Sequence, residues 1–297
     1  MKRSVIQLAG KTYVISLPAK WVKDYNIKKG DELEVSEEKD KLKISKDGLK
    51  TELKTEINLT GYSDDITRRI IGALYKKGYD EVKAHYDDTK QLNIIQKAAD
   101  SGLIGFEIIS NAKNHCILKM VANENEKDFS SVFRRLFYLL TGIGRDAIES
   151  LEPLNNEKLQ EIISRDKTVN KLADYCRRMI NKSKDENSHY NYSIAENLEK
   201  IGDEYRDMLR FICNQNIPIE KKIIKKFTEV NSYFDSLHEV VYNFNQGNIS
   251  AFSEKNIVLR DEIAKLISDN KNNQRGITHQ RINTRYFKCR HKLILQL

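Results

Sequence analysis

From residue 128 onward, apolar side chains recur at helical spacing through most of the chain, and this constrains the fold more than any other feature. The recurrence is strictest between Lys222 and Asn245. There Ile223, Val230, Leu237 and Phe244 repeat every seven residues, with Phe227, Phe234 and Val241 interleaved. Such a repeat turns one helix face steadily towards a partner helix, as in a bundle seam. Similar stripes run through Val132–Leu151, Leu159–Ile180 and Ile194–Ile212. Breaks at Pro153, near Lys184–Ser188, at Pro218, near Gly247 and at Gly276 divide the segment into about six helices. The composition agrees, since 32% charged residues with 3 Pro and 13 Gly favour helix. The stretch Ser164–Leu172 also resembles Leu259–Ile267, each in the second helix of a three-helix set. Residues 128–297 are therefore expected to form an all-α bundle of two three-helix halves.

The residues before the bundle read differently. In 1–47, Val5, Tyr13, Val14, Ile15 and Leu17 sit in short β-prone runs around a Gly10-Lys11 turn. Pro18 opens a short helix, Ala19 to Tyr25, and suits its first turn because its missing N–H would have no helical partner there. After a turn at Lys29-Gly30-Asp31, Leu33 and Val35 alternate, the chain turns over Glu37 to Lys41, and Leu42 and Ile44 alternate back. This unit is too small to bury much surface alone, so pairing with a second chain is expected. Residues 50–122 read as a small α/β unit: strand Leu53–Leu59, helix Asp64–Lys77, strand Val82–His85, helix Lys90–Ser101, strands Ile104–Ile109 and Cys116–Val121. The fold class is a multidomain α+β protein. No phosphate loop or nucleophile motif is present, and Gly142-x-Gly144 falls inside a helical pattern with no preceding strand, so it is not a dinucleotide loop.

The formal charge of +8 is concentrated. From Lys271 to the end there are seven basic residues (Lys271, Arg275, Arg281, Arg285, Lys288, Arg290, Lys292) and no acid. A basic chain points to a polyanionic partner; a solvated helix face is the competing reading of a charge run. No apolar run approaches the roughly 18–20 residues of a membrane span, and the N-terminal one stops at Lys11, too short for a secretion signal. Cys116, Cys176, Cys213 and Cys289 have no metal-ligand spacing and read as reduced thiols of a cytoplasmic protein.

Three runs in the first segment, Gly10 to Pro18, Ala19 to Lys23 and Ile27 to Leu33, follow the order turn, β-run, Pro, short helix, Ile-x-x-Gly-Asp. In this order the segment resembles the SpoVT/AbrB-type swapped-hairpin DNA-binding domain. The resemblance implies that two chains interlock their hairpins into one small barrel, with basic residues of the first strand and its loop facing double-stranded DNA. Carried over by position these are Arg3, Lys11 and Lys23, with Lys2, Lys20 and Thr12 beside them. The physical reason is independent of the resemblance: two copies of a basic loop set cations against phosphates and release counterions, while hydroxyls and amides fix register. Val22 departs from the pattern, standing where many such domains carry another base.

In the bundle, Glu199 and Asp203 lie at i and i+4 on one helix face, and Asp207 continues the row. Asp166 sits on the apolar seam of Leu159, Ala173 and Ile180, with Asn170 one turn later. A carboxylate on a seam is costly unless paired or metal-bound. Two such rows on neighbouring helices could converge on a cation through oxygen ligands. The run Ile194 to Asp203 resembles the third-helix signature of PhoU-like phosphate-uptake regulators, and that resemblance spans about residues 128–297. It implies an iron or zinc cluster held by Asp166, Asn170, Glu199, Asp203 and Asp207. Asn170 stands where a second Asp is usual, Lys265 replaces the helix-two acid of the second repeat, and Gln280 to Thr284 carries neither acid, so at most one cluster per chain is implied. The alternative for Glu199 and Asp203 is a salt-bridged helix face with Arg165, Lys200 and Arg206 as neighbours. Glu186-x-x-His189 and Asp235-x-x-His238 each offer half of a di-iron motif without the paired partners such a site needs. Trp21 is expected in the core against the partner hairpin, and His279 and His291 on the surface.

Together these readings give a cytoplasmic, homodimeric, non-enzymatic transcriptional regulator of phosphate or metal homeostasis, with a bundle that senses a signal or binds a partner. The rivals are a PhoU-like adaptor that docks on a phosphate transporter or signalling kinase and uses its N-terminal barrel only to dimerise, and a carboxylate-bridged metal enzyme. An antitoxin of the swapped-hairpin class is disfavoured, because such proteins carry a short toxin-wrapping tail rather than a long bundle.

Overall fold

The structure is a computed structural model describing residues 2–8, 10–38, 41–46, 52–122, 126–183, 188–216 and 218–271. The basic stretch after Lys271, together with Cys289, His279, His291, Glu186 and the Gln280 to Thr284 run, lies outside the described residues. The chain divides into two compact units, Met1–Glu52 and Leu53–Leu297.

In the first unit, strands β1 (Ile6–Leu8) and β2 (Thr12–Val14) pair antiparallel, with Ile6 opposite Val14 and Leu8 opposite Thr12. Gly10 closes the hairpin at φ 73°, a left-handed conformation that costs glycine nothing. Helix α1 (Ala19–Asp24) ends on Asn26 at φ 47°, with Ile27 N–H donating to Val22 O at 2.9 Å. Strands β3 (Leu33–Glu38) and β4 (Lys41–Lys46) form a second antiparallel pair. Lys46 Nζ fastens it to the preceding turn through Asp31 at 3.0 Å and Asn26 O at 3.1 Å. Among the described residues these are two open hairpins, with no closed barrel within one chain. None of their apolar side chains is buried: Val5, Ile6, Leu8, Tyr13, Ile15, Val35 and Leu42 are between 49% and 69% exposed.

The second unit starts with a four-stranded sheet in the order β5-β6-β8-β7. Strands β5 (Lys54–Asn58) and β6 (Glu81–His85) are parallel, while β7 (Phe106–Asn111) and β8 (His115–Met120) complete it antiparallel. Helices α2 (Asp64–Lys77) and α3 (Thr89–Gly102) pack over Val82, Ala84, Phe106, Cys116 and Leu118. Ser63 and Asp88 cap the two helices, and α2 stops at Gly78, φ 96°. Gln91, buried, donates to Leu59 O at 2.7 Å and Thr67 Oγ1 at 3.1 Å, and accepts from Asp87 N–H at 3.0 Å, tying together the loops after β5 and β6. The opposite face carries Lys54, Glu81, Glu56, Lys83 and His85 as cross-strand ion pairs.

The bundle comprises α4 (Glu126–Glu149), α5 (Asn156–Ser164), α6 (Asp166–Ser183), α7 (Ser188–Gln215), α8 (Lys221–Tyr242) and α9 (Gln246–Lys271). The expected single stripe Leu159–Ile180 is broken at Arg165 into α5 and α6, although its apolar side chains continue into the core. The heptad of α8 buries Ile223, Phe227, Val230, Phe234 and Leu237. It ends before Phe244, which lies past the helix and is 78% exposed. Gly144 lies inside α4, where a Cβ would come 2.0 Å from Asn231 Oδ1 and 2.6 Å from Tyr205 Oη. Helix α6 also packs on α2. Arg178, fully buried, donates to Tyr75 O at 3.1 Å, Tyr79 O at 2.6 Å and Asp80 Oδ1 at 2.6 Å, joining bundle to α/β layer.

Candidate nucleic-acid interface and carboxylate cluster

The first acid in the sequence is Asp24; the five cations before it are Lys2, Arg3, Lys11, Lys20 and Lys23. Lys2 and Arg3 lead into β1, Lys11 follows Gly10 in the hairpin turn, and Thr12 opens β2 opposite Leu8. Lys20 and Lys23, three residues apart, share one face of α1, while Trp21 and Val22 are half-buried. Trp21 stacks at a tilt on Tyr25, with ring centroids 5.5 Å apart. All five cations and Thr12 are exposed. No carboxylate among the described residues pairs with any of the five. The acid that follows is engaged locally: Asp31 accepts from Lys28 N–H at 3.0 Å and pairs with Lys46, which hold its carboxyl below the usual range. The unit therefore offers unpaired cations on its first hairpin and helix, a distribution suited to phosphate contacts.

In the bundle, the sequence-derived carboxylates fall into two arginine-centred clusters. Asp166, 9% exposed at the start of α6, accepts from Arg206 at 3.0 Å. The same guanidinium pairs with Asp203 and with Asp207, the latter at 2.9 Å. Asn170 Nδ2 reaches Asp166 Oδ2 only at 3.5 Å. Burial pulls the Arg206 pKa down, but its bonds to Asp207 and Asp166 outweigh this and leave it raised. The Asp203 carboxyl is pushed up by burial against the opposing pull of Arg206, and Asp166 adds to the rise. Glu199 stands apart, bound to Arg177 at 2.8 Å, and Arg177 also holds Asp174 at 2.7 Å. Burial pushes the Glu199 carboxyl up, with Arg177 opposing.

This donor set does not fit an iron or zinc cluster. The Arg206 guanidinium occupies the place among Asp166, Asp203 and Asp207 that a cation would take, and Glu199 faces a different arginine. Among the described residues, no group of three or more His, Cys, Asp or Glu side chains is arranged to hold a metal ion. Of the neighbours expected from sequence, Arg206 is the counter-ion, whereas Lys200 pairs with Glu196 at 2.9 Å and Arg165 with Asp146 and Glu161. Arg177 carries no signal in the sequence beyond being one of two adjacent bases with Arg178, yet both are buried. In the half-motif Asp235-x-x-His238, Asp235 accepts from Thr141 Oγ1 at 2.8 Å and is not turned towards a metal partner.

No helix among the described residues is long and apolar enough to cross a membrane. Neither the curated proteins nor the solved structures contain a match to the chain. Two family models do match. Residues 6–51 fit the model described as antidote-toxin recognition MazE, bacterial antitoxin, and residues 133–212, from α4 into α7, fit the PhoU domain. Residues 6–51 are thus similar to the AbrB-like swapped-hairpin family and residues 133–212 to the PhoU domain, which supports a fusion of the two.

Proposed function

We propose that the protein is a DNA-binding transcriptional regulator of phosphate homeostasis, dimeric through its first unit, with the bundle as its sensing or partner-binding part. The observation that carries this reading is the first unit itself: five exposed cations on its first hairpin and helix without carboxylate partners among the described residues, and hairpins that leave Val5, Ile6, Leu8, Tyr13, Ile15, Val35 and Leu42 exposed. An isolated two-stranded hairpin is marginal in water, and interlocking with a second copy would bury those side chains while doubling the cations on one surface. The reading includes no catalytic step. Its site of action is cytoplasmic, where the DNA is.

The test is binding of full-length protein to a short duplex across a salt series. The expected affinity falls linearly with salt on logarithmic axes. A variant with Arg3→Ala, Lys11→Ala and Lys23→Ala should lower the slope by about 5, the share of six phosphate contacts in a dimer at ~0.9 each. Affinity no better than that of a charge-matched control, or indifferent to salt, overturns the proposal and leaves the adaptor of a transporter or kinase. The matched antitoxin description favours a second reading, in which the first unit binds a toxin. A toxin-wrapping tail would have to begin after residue 51, where this chain instead forms β5 and the α/β layer.

A further inference from the structure

A cleft of about 330 Å³ opens on the bundle surface, lined by Ser130, Ser131, Arg134, Arg135 and Tyr138 of α4. Among the described residues its lining carries hydroxyl and guanidinium donors and no carboxylate. Both arginines are exposed, and neither pairs with a carboxylate among the described residues. The Arg134 guanidinium lies 5.1 Å over the ring of Tyr242, from α8. Beside it, His238 stacks between Tyr242 at 4.6 Å and Tyr138 at 5.3 Å. Tyr242 Oη faces the Arg134 guanidinium, and His238 Nε2 is buried without a hydrogen-bond partner among the described residues. A buried polar atom is costly to leave unpaired, so the retention of His238 Nε2 in this layer points to a use for it. Among the described residues, Glu239 pairs with His238, 3.8 Å from its other ring nitrogen, and is itself mostly exposed.

We propose that this cleft is a binding site for a phosphate-type oxyanion, gripped by Arg134 and Arg135 with the Ser130 hydroxyl and completed by His238 Nε2–H. Guanidinium forks match the oxygen spacing of such anions. A neutral imidazole can carry its proton on either nitrogen and so can donate from Nε2. When Arg134 leaves the Tyr242 ring to grip the anion, the buried His238 nitrogen beside that ring comes into reach. Occupancy thereby changes the contact between α4 and α8. This deepens the proposed regulatory reading by naming its signal, and its test uses no DNA, so the two fail separately.

The test is calorimetric titration of the full-length chain with inorganic phosphate and, in a parallel arm, a nucleoside monophosphate. The expected result is saturable binding of inorganic phosphate at one site per chain. Affinity should weaken at least tenfold in R134Q/R135Q, and the ring signals of His238 should shift on addition of phosphate. R135Q alone, at an exposed position, gives the same comparison if the double variant fails to fold. Binding of the nucleotide alone shows that a phosphate ester, not the free ion, is the ligand of the same site. No saturable binding of either, or binding unchanged in the arginine variants, overturns the proposal.

Discussion

Arg178→Met removes the one side chain among the described residues that joins α6 to two carbonyls and a carboxylate of the α/β layer at once. Methionine keeps the apolar stem and most of the volume, so the change isolates the guanidinium. Its donors go to Tyr75 O, Tyr79 O and Asp80 Oδ1, and its carbon centre lies 5.0 Å over the Tyr75 ring. Tyr75 O keeps a second donor, Gly78 N–H at 2.9 Å. Asp80 keeps Lys182 at 2.5 Å and Leu53 N–H at 3.0 Å. Breaking a buried charge pair from one side costs roughly 3–5 kcal/mol. The remaining partners of Asp80 place this case at the lower end, about 3 kcal/mol, a large share of a typical total of about 5–15 kcal/mol. Denaturant unfolding measures the loss, and hydrogen exchange should show weakened protection at the end of α2. Lys182→Met, at a side chain 22% exposed, should cost less than half as much. A loss below about 1 kcal/mol for Arg178→Met would show that Lys182 alone satisfies Asp80 and that the guanidinium adds nothing.

Gly144→Ala drives a methyl into Asn231 and Tyr205 and should destabilise the bundle by about 3 kcal/mol, read as a fall in unfolding midpoint; an unchanged midpoint would mean that α4 and α8 separate at no cost. The Glu56 carboxyl is held at about 2 by its bonds to His85 and Lys83. Its folded value is below its unfolded one, so its contribution is present above the ordinary carboxylate range and disappears as pH falls towards 2; a carbon-detected titration with a midpoint near 4.5 would refute the pairing. After expression in iron- and zinc-supplemented medium, wild type and Asp203→Ala should retain equal metal, because Arg206 neutralises the cluster; a wild-type excess lost in the variant would contradict that assignment.

Local signals carried the elements whose ends are chemically marked. Helix α2 starts at Asp64 and stops at Lys77 as expected, because Ser63 caps it, acids fill its first turn and Gly78 takes a left-handed φ. The break at Arg165 has no such mark: no Gly or Pro interrupts the sequence, and the apolar spacing passes through it. Phe244 continues the heptad on paper, but Asn243 ends α8, and Asn245 accepts Asn248 N–H at 2.9 Å to start the next helix. The exposed cations were legible because no acid precedes Asp24 in the sequence. The roles of Arg177 and Arg178 were not, since their partners lie on other helices or a hundred residues away. Spacing put Glu199, Asp203 and Asp207 in one row and Asp166 with Asn170 in another, but only tertiary packing shows that a guanidinium lies among Asp166, Asp203 and Asp207 and that Glu199 pairs with Arg177.

The most direct measurement is the mass, by sedimentation velocity, of the full-length chain alone and bound to a short duplex. Two chains free in solution, and two chains on one duplex, are the values that interlocked first units require. A single chain in either state, with Ile6, Leu8 and Val35 still open to solvent, would contradict the account at its root.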